Sequence, residues 1–170
     1  MSILTLPTTS AIAPNRSERP PGDPFLRFQL ADGVNAVLAM QQVQEVHILP
    51  VDRLTPMPNM PACVLGLMNR RSHVLWVVDV AYLLGIANLG SNHQHYNLVI
   101  TRVGEVPLAL AVQQISGFFW MPSDGIQPPP SEFSPLLQSH LQGYAVHEQD
   151  VLLVLSAEAI LHSSILHPSP

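Results

Sequence analysis

Three places in this sequence bring reactive residue types close together. His93-Gln94-His95 sets two imidazoles at i and i+2, which on a strand share one face and could hold zinc. No cysteine or carboxylate adjoins them in sequence, so the preferred reading is a polar loop. The second place is the stretch MNRRSHVLWVVD, residues 68–79. It sets Arg70 beside Arg71 in a chain with seven positive side chains and no lysine. The third is Cys63, the single cysteine, which follows Pro61 in an apolar stretch and reads as a small buried hydrophobe, not a nucleophile. Six Asp and six Glu are scattered without forming a marked acid/base dyad. His47, His73, His140, His147 and His162 stand singly and read as surface or edge residues. No Gly-x-Ser-x-Gly elbow, glycine-rich phosphate loop or His-Glu-x-x-His helix occurs. The sequence gives an enzyme little to work with, and no cofactor is expected.

Composition narrows the function further. The 170 residues carry a net charge of −5, and without clustered Lys and Arg there is no footprint for nucleic acid. Hydrophobic residues make up 47% and charged residues only 11%, against about 25% charged in ordinary soluble domains. So uncharged a surface favours a protein that works against partners. One cysteine cannot form an internal disulfide and fits a reducing compartment. The N-terminus lacks a positive leader and is interrupted by Pro7, and no window reads as a membrane-spanning helix. The expectation is a cytoplasmic protein that is not embedded in a membrane.

The elements that must position these residues are mostly strands. Residues 1–24, rich in Pro, Ser and Thr, read as a disordered arm, and 163–170 as a flexible tail. Leu26, Phe28 and Leu30 alternate with Arg27 and Gln29, the period of a half-buried strand, and Asp32-Gly33 turns it into Val34–Met40. Val74–Val80, Leu98–Thr101, Val106–Val112 and Val151–Leu155 read as further short strands. Only Val80–Leu84 and Ala157–Leu161 look helical. Trp76 lies on a strand apolar on both faces and reads as core. Phe118-Phe119-Trp120-Met121 cannot all point inward, so at least one should reach an interface.

The chain repeats itself. Adding 72 carries Leu38 to Leu110, Gln42-Val43 to Gln114-Ile115, Pro50 to Pro122 and Asp52 to Asp124. Beyond an extra five residues somewhere in 131–140 the offset is 77. It carries Gly66 to Gly143, Val74 to Val151 and Leu83-Leu84 to Ile160-Leu161. An ordered series with one gap indicates an internal duplication, and short strands at this spacing suggest two small antiparallel barrels with a groove between them. The halves are placed at 25–90 and 97–162. Under the repeat, Arg71-Ser72-His73 corresponds to Glu148-Gln149-Asp150, one hairpin tip basic and its counterpart acidic.

Gln44-Glu45-Val46, Leu54-Thr55-Pro56, Val64-Leu65-Gly66-Leu67-Met68-Asn69-Arg70-Arg71-Ser72 and Val77-Val78-Asp79-Val80 together resemble the signature of CheW-like domains. The likeness continues through Val112-Gln113-Gln114-Ile115 to Leu141-Gln142-Gly143-Tyr144 and covers about residues 25–162. It implies an all-β fold of two SH3-like five-stranded β-barrels and no catalytic activity. It also implies an adaptor between the cytoplasmic tip of a methyl-accepting chemoreceptor and the regulatory domain of a CheA-like histidine kinase, in chemotaxis, phototaxis or pilus-based motility. The family's docking arginine and glutamate fall on Arg71 and Glu45. Arg70, Ser72, Leu65, Val37 and Val43 complete the expected partner surface. Ser72 stands where the family has glycine, which implies a changed turn, Trp76 replaces a common proline, and Ser156 a common aspartate. Alternatives are a partner of another kind, such as a response regulator or pilus-control protein, or a small ligand or metal held through His93 and His95.

Overall fold

The computed structural model describes residues 22–90 and 93–167. Residues 1–21 of the expected arm and 168–170 of the expected tail lie outside the described residues. In chain order the elements are β1 (Asp23–Ala31), β2 (Val34–Ala39), β3 (Val43–Pro50), β4 (Val64–Arg70), β5 (His73–Asp79) and α1 (Val80–Leu83). There follow β6 (His95–Val103), β7 (Val106–Val112), β8 (Gln114–Met121), α2 (Pro135–His140), β9 (Leu141–His147), β10 (Asp150–Leu155) and α3 (Ala157–Leu161). The duplication is visible in these bounds. β1 and β6 are related by 72 residues, as are β2 and β7, while β4 and β9, β5 and β10, and α1 and α3 are related by 77.

The fold is all-β, with two five-stranded sheets in the orders β8-β1-β2-β10-β9 and β3-β6-β7-β5-β4. Substituting each strand by its repeat counterpart turns one order into the other. The sheets do not follow the halves 25–90 and 97–162, however. The first takes β1 and β2 from one repeat and β8, β9 and β10 from the other; the second takes β3, β4 and β5 with β6 and β7. The reason is a parallel pairing. β10 pairs with β2 through Leu152↔Asn35 to Val154↔Val37, and β5 pairs with β7 through Val77↔Ala109 to Asp79↔Ala111. Each repeat therefore lends strands to the other's barrel.

Three apolar clusters follow from this exchange. Phe25, Val37, Met121, Ala145, Leu152 and Val154 fill the inside of the first barrel. Leu49, Met68, Leu75, Val77, Leu98 and Ile100 are among those filling the second. Between the barrels the outer faces of both sheets meet, with Phe28, Leu30 and Leu38 from one side and Val99, Leu110 and Val112 from the other. Cys63 belongs to this central cluster at 1% exposure. Burial pushes its thiol pKa up, which leaves it the inert small side chain expected.

Each barrel is cinched by an isolated bridge from the segment preceding its fourth strand of the repeat. Thr55 and Leu67 exchange backbone hydrogen bonds at 2.8 Å, and Gln127 and Tyr144 do so at 2.8 and 2.9 Å. Gly66 and Gly143, equivalent under the repeat, let these bridges approach. A Cβ at either would collide with the carbonyl oxygen of Thr55 or Gln127. Gly143→Ala, which changes no backbone preference in the left-handed region, should cost about 2 kcal/mol through this overpacking. Urea unfolding should show it as a lowered midpoint with an unchanged slope.

Residues 23–24 and 163–167, expected in the arm and the tail, belong to the fold. Asp23 and Pro24 open β1 against Met121 and Trp120 of β8. Residues 163–167 pack back onto the fold, with Ile165 and Leu166 against the central cluster. Their anchor is His140, read from sequence as a surface or edge residue and in fact only 5% exposed. Its Nδ1–H donates to the Leu136 carbonyl (2.7 Å), and its Nε2 accepts from the Ser163 hydroxyl (2.8 Å). Both polar atoms of the ring are satisfied, which is why burial is tolerated.

Candidate functional site

The basic hairpin tip is built by β4 and β5. Arg70 pairs with His73 at the end of the ladder, leaving Arg71 and Ser72 as a two-residue loop. Their φ values are 49° and 68°, both left-handed, the requirement of a type I′ hairpin turn. The backbone at Ser72 is thus left-handed without a glycine, at about 1–2 kcal/mol per non-glycine residue. Glu148 and Gln149, at 50° and 71°, form the counterpart turn between β9 and β10. The two tips are conformationally equivalent and opposite in charge.

Glu45 meets this tip because the edge strands of the second sheet, β3 and β4, curl together. Along β3, Val43, Glu45 and His47 are half-buried while Gln44, Val46 and Ile48 face solvent. The Glu45 carboxylate pairs with the Arg70 guanidinium and has Arg71 Nη2 at 3.8 Å from the same oxygen, with His47 Nδ1 3.7 Å from the other. The two arginines have separate tasks. Arg70 is 13% exposed and braces Glu45, whereas Arg71 is 78% exposed and reaches into solvent. Arg70 Nε is buried without a hydrogen-bond partner among the described residues.

The acidic tip is partly occupied from within. Asp150 receives a hydrogen bond from Arg27 of β1 at 2.6 Å, which leaves Glu148 as its free carboxylate, 82% exposed and 3.9 Å from His147 Nε2. Among the other expected partner residues, Ser72 is exposed at the basic tip. Val43 is half-buried against the central cluster, and Leu65 is half-buried against the interior of the second barrel. Val37 is excluded from any partner surface. It is fully buried inside the first barrel, where β2 is flanked by β1 and β10.

Trp76 departs from expectation in the other direction. It is 39% exposed on the outer face of β5, next to Val74 at 63%, a face that the described residues only partly cover. Phe118 reaches solvent at 69% exposure. Phe119 turns inward, its ring 4.6 Å from that of His147, and Met121 is buried. The expectation that one of these large groups points outward is met by Phe118. Sequence reasoning gave no weight to Val46, Ile48, Val146 and Val151, which are also exposed. The period-2 pattern marks these positions as apolar but cannot say which apolar face is covered.

His93 lies before β6, and its Nε2 contacts the Leu89 carbonyl, so the two histidines do not share a strand face. Among the described residues no three His, Cys, Asp or Glu side chains are grouped to hold a metal ion. Asp79, 3% exposed, caps α1: its carboxylate accepts from Tyr82 N–H at 3.1 Å and from Leu89 N–H at 2.9 Å. Ser156 does the same work for α3, accepting from Ala159 N–H at 3.1 Å, so the missing aspartate is replaced by another good cap. Burial raises the pKa of Asp79 despite those hydrogen bonds. The folded state thus holds this proton more tightly than the unfolded state, whose carboxyl titrates near 4. The contribution is complete below about pH 4 and is lost as pH rises through the raised folded value. Asp79→Asn should be less stable overall, by about 1 kcal/mol for the lost acceptor. The gap to wild type should narrow as pH rises above about 4 in parallel thermal melts.

Comparison with known proteins follows the same lines. The family model described as a CheW-like domain matches residues 24–164. A probable chemotaxis protein CheW of Rhizobium etli is 27% identical over 106 residues, 62% of this chain and 68% of that protein. The chemotaxis protein CheW of Rhizobium meliloti is 28% identical over 109 residues, 64% of this chain and 70% of that protein. In three dimensions the scaffolding protein TtCheW from Thermoanaerobacter tengcongensis superposes with a TM-score of 0.69 at 18% identity. The superposition covers 82% of this chain and 88% of the other. No helix among the described residues is long and apolar enough to cross a membrane.

Proposed function

Because the chain belongs to the CheW-like family of non-catalytic chemotaxis adaptors, we propose that it couples a chemoreceptor's cytoplasmic tip to the regulatory domain of a CheA-type kinase. In this reading it works in the cytoplasm, recruited to receptor arrays, and passes a signal by bound geometry alone. The observation that carries the reading is the Glu45–Arg70–Arg71 cluster. A braced, part-buried ion pair holds a second arginine out into solvent on a rigid two-residue turn. An arginine presented this way keeps its fork oriented before a partner arrives, so less conformational freedom is lost on docking. The acidic tip of the other repeat, with Glu148 free, offers the complementary sign and sets the orientation in which partners approach. Exposed apolar side chains on the sheets, Val46 and Ile48 among them, supply the area.

Arg71→Glu tests this directly. The side chain is exposed, so the melting temperature should stay within about 2 °C of wild type. Co-sedimentation with receptor-bearing vesicles and the kinase should weaken by about tenfold or more, as expected for an arginine at an interface centre. Undiminished co-sedimentation would remove Arg71 from the interface.

A further inference from the structure

The two repeats differ at one place that has a physical meaning. The five residues by which the second exceeds the first lie in 131–140, the stretch that contains the six-residue α2. This helix is capped by Ser134, whose hydroxyl accepts from Leu137 N–H at 3.1 Å, with Pro135 in its first turn. Phe133 and Leu137, four residues apart, pack against the central cluster, and Leu136 lies beside Gly85 at the end of α1. α2 thereby covers the outer face of the first barrel around Leu141, Leu153 and Leu155.

The equivalent face of the second barrel carries no helix in the corresponding place among the described residues. There the chain from Pro56 to Cys63 makes only turns. Leu153 is 6% exposed, but Trp76, its counterpart at an offset of 77, is 39% exposed. Leu141 and Leu155 correspond to Val64 and Val78, and Leu84 corresponds to Leu161. These counterparts, with Trp76 and Leu108, line an apolar groove of about 250 Å³, which Leu166 and His167 of the C-terminal segment border. The volume exceeds the roughly 150 Å³ that accepts a benzene ring, leaving room for one aromatic and one aliphatic side chain. The groove is continuous with the interface between the barrels, since Val78 and Leu108 belong to that core and Val64 and Leu161 pack against it.

We propose that the Trp76 groove is a docking site for a short helix of a partner protein, which inserts two bulky apolar side chains, one from the helix and one from the turn before it, as Leu137 of α2 and Phe133 do on the other barrel. The chain itself supplies the template for the occupant: a short helix with Leu137 as one anchor and Phe133, in the turn just before the Ser134 cap, as the other. A few apolar side chains seated in a groove are how short helices are commonly recognised. The site is separate from the Glu45–Arg70–Arg71 cluster and does not depend on the partners assigned to it.

The probe is a fluorescein-labelled synthetic peptide of residues 130–141, stapled through positions 135 and 139, both exposed in α2. Titrated with the full chain, it should bind saturably with a dissociation constant of about 100 µM or tighter. Trp76→Glu should weaken binding about tenfold or more. Val74→Glu, on the same strand but outside the groove, should leave it unchanged. Should Trp76→Glu fail to fold by circular dichroism, a peptide with Phe133 and Leu137 replaced by serine carries the same comparison. No saturable binding below millimolar concentration, or equal binding by variant and wild type, overturns the proposal. So does a chain without residues 1–21 that binds about tenfold tighter, since the groove's occupant would then be the protein's own N-terminal segment. Loss of peptide binding as the protein self-associates with rising concentration overturns it as well, in favour of a second copy.

Discussion

Phe28→Ala should lower stability by about 4 kcal/mol, the middle of the range for truncating a buried phenylalanine. Phe28 is fully buried in the cluster where the outer faces of the two sheets meet. It sits on β1, which is flanked by β8 on one side and β2 on the other, so neither the strand nor its neighbours can move in to fill the space. The penalty is then the lost transfer energy of the ring together with an unrelaxed cavity. At about 2–4 °C per kcal/mol for a chain of this size, the melting temperature should fall by roughly 8–16 °C. Val151→Ala is a suitable control, since Val151 is 52% exposed and should change stability by about 0.5 kcal/mol or less. The transition of the Phe28 variant should remain single. Two separated transitions, one per barrel, would mean that the central cluster does not bind the barrels into one unit.

Glu45→Arg is the second large effect, and it falls on stability and on assembly together. The carboxylate holds Arg70, which is 13% exposed, and steers Arg71. Its reversal leaves a part-buried guanidinium without its counter-ion and places a third positive group beside it. Breaking such a pair by removing one partner costs about 3 kcal/mol, the low end for fully buried pairs because Glu45 retains 28% exposure. Assembly with receptor and kinase should drop by more than for Arg71→Glu, since the brace and the reaching arginine are both lost. The discriminating measurement is the pair Glu45→Arg with Arg70→Glu. Restoring opposite charges should recover most of the stability if the two side chains interact in solution as they do in the structure. No recovery would show that Arg70 is held by other groups.

Much of this molecule could be read in its residues. The alternation Leu26, Phe28, Leu30 marks β1, branched runs mark most of the other strands, and the shift from 72 to 77 brackets α2. Glu45, Arg70 and Arg71 come together at the basic tip, a proximity that the residues alone did not give. What escaped was everything that depends on which strand lies beside which. Val37 looked available and is fully buried, because β2 is flanked on one side by a strand that follows it by more than a hundred residues. Trp76 looked buried and is open, because periodicity reports that a face is apolar without reporting whether anything covers it. His140 looked exposed because a lone histidine carries no sign of its eventual partners, Leu136 and Ser163. α2 had a usable signal in Ser134-Pro135, a cap residue before a favoured first-turn proline, but six residues give too short a periodic pattern to recognise.

The exchange of strands between repeats also sets the order in which the protein can mature on the ribosome. The second sheet draws on one continuous stretch, β3 through β7, and can close as soon as that stretch has emerged. The first cannot. β10 lies between β2 and β9, so β1 and β2, made first, wait for a strand made some 110 residues after β2 ends. At about 5–20 residues per second that delay is on the order of 10 s. For all of it Phe25 and Val37 lack the β9 and β10 side chains that will bury them. Of the strands of this sheet, β1 and β2 are thus made before the strands that bury them, and their side chains are what a nascent-chain chaperone would meet.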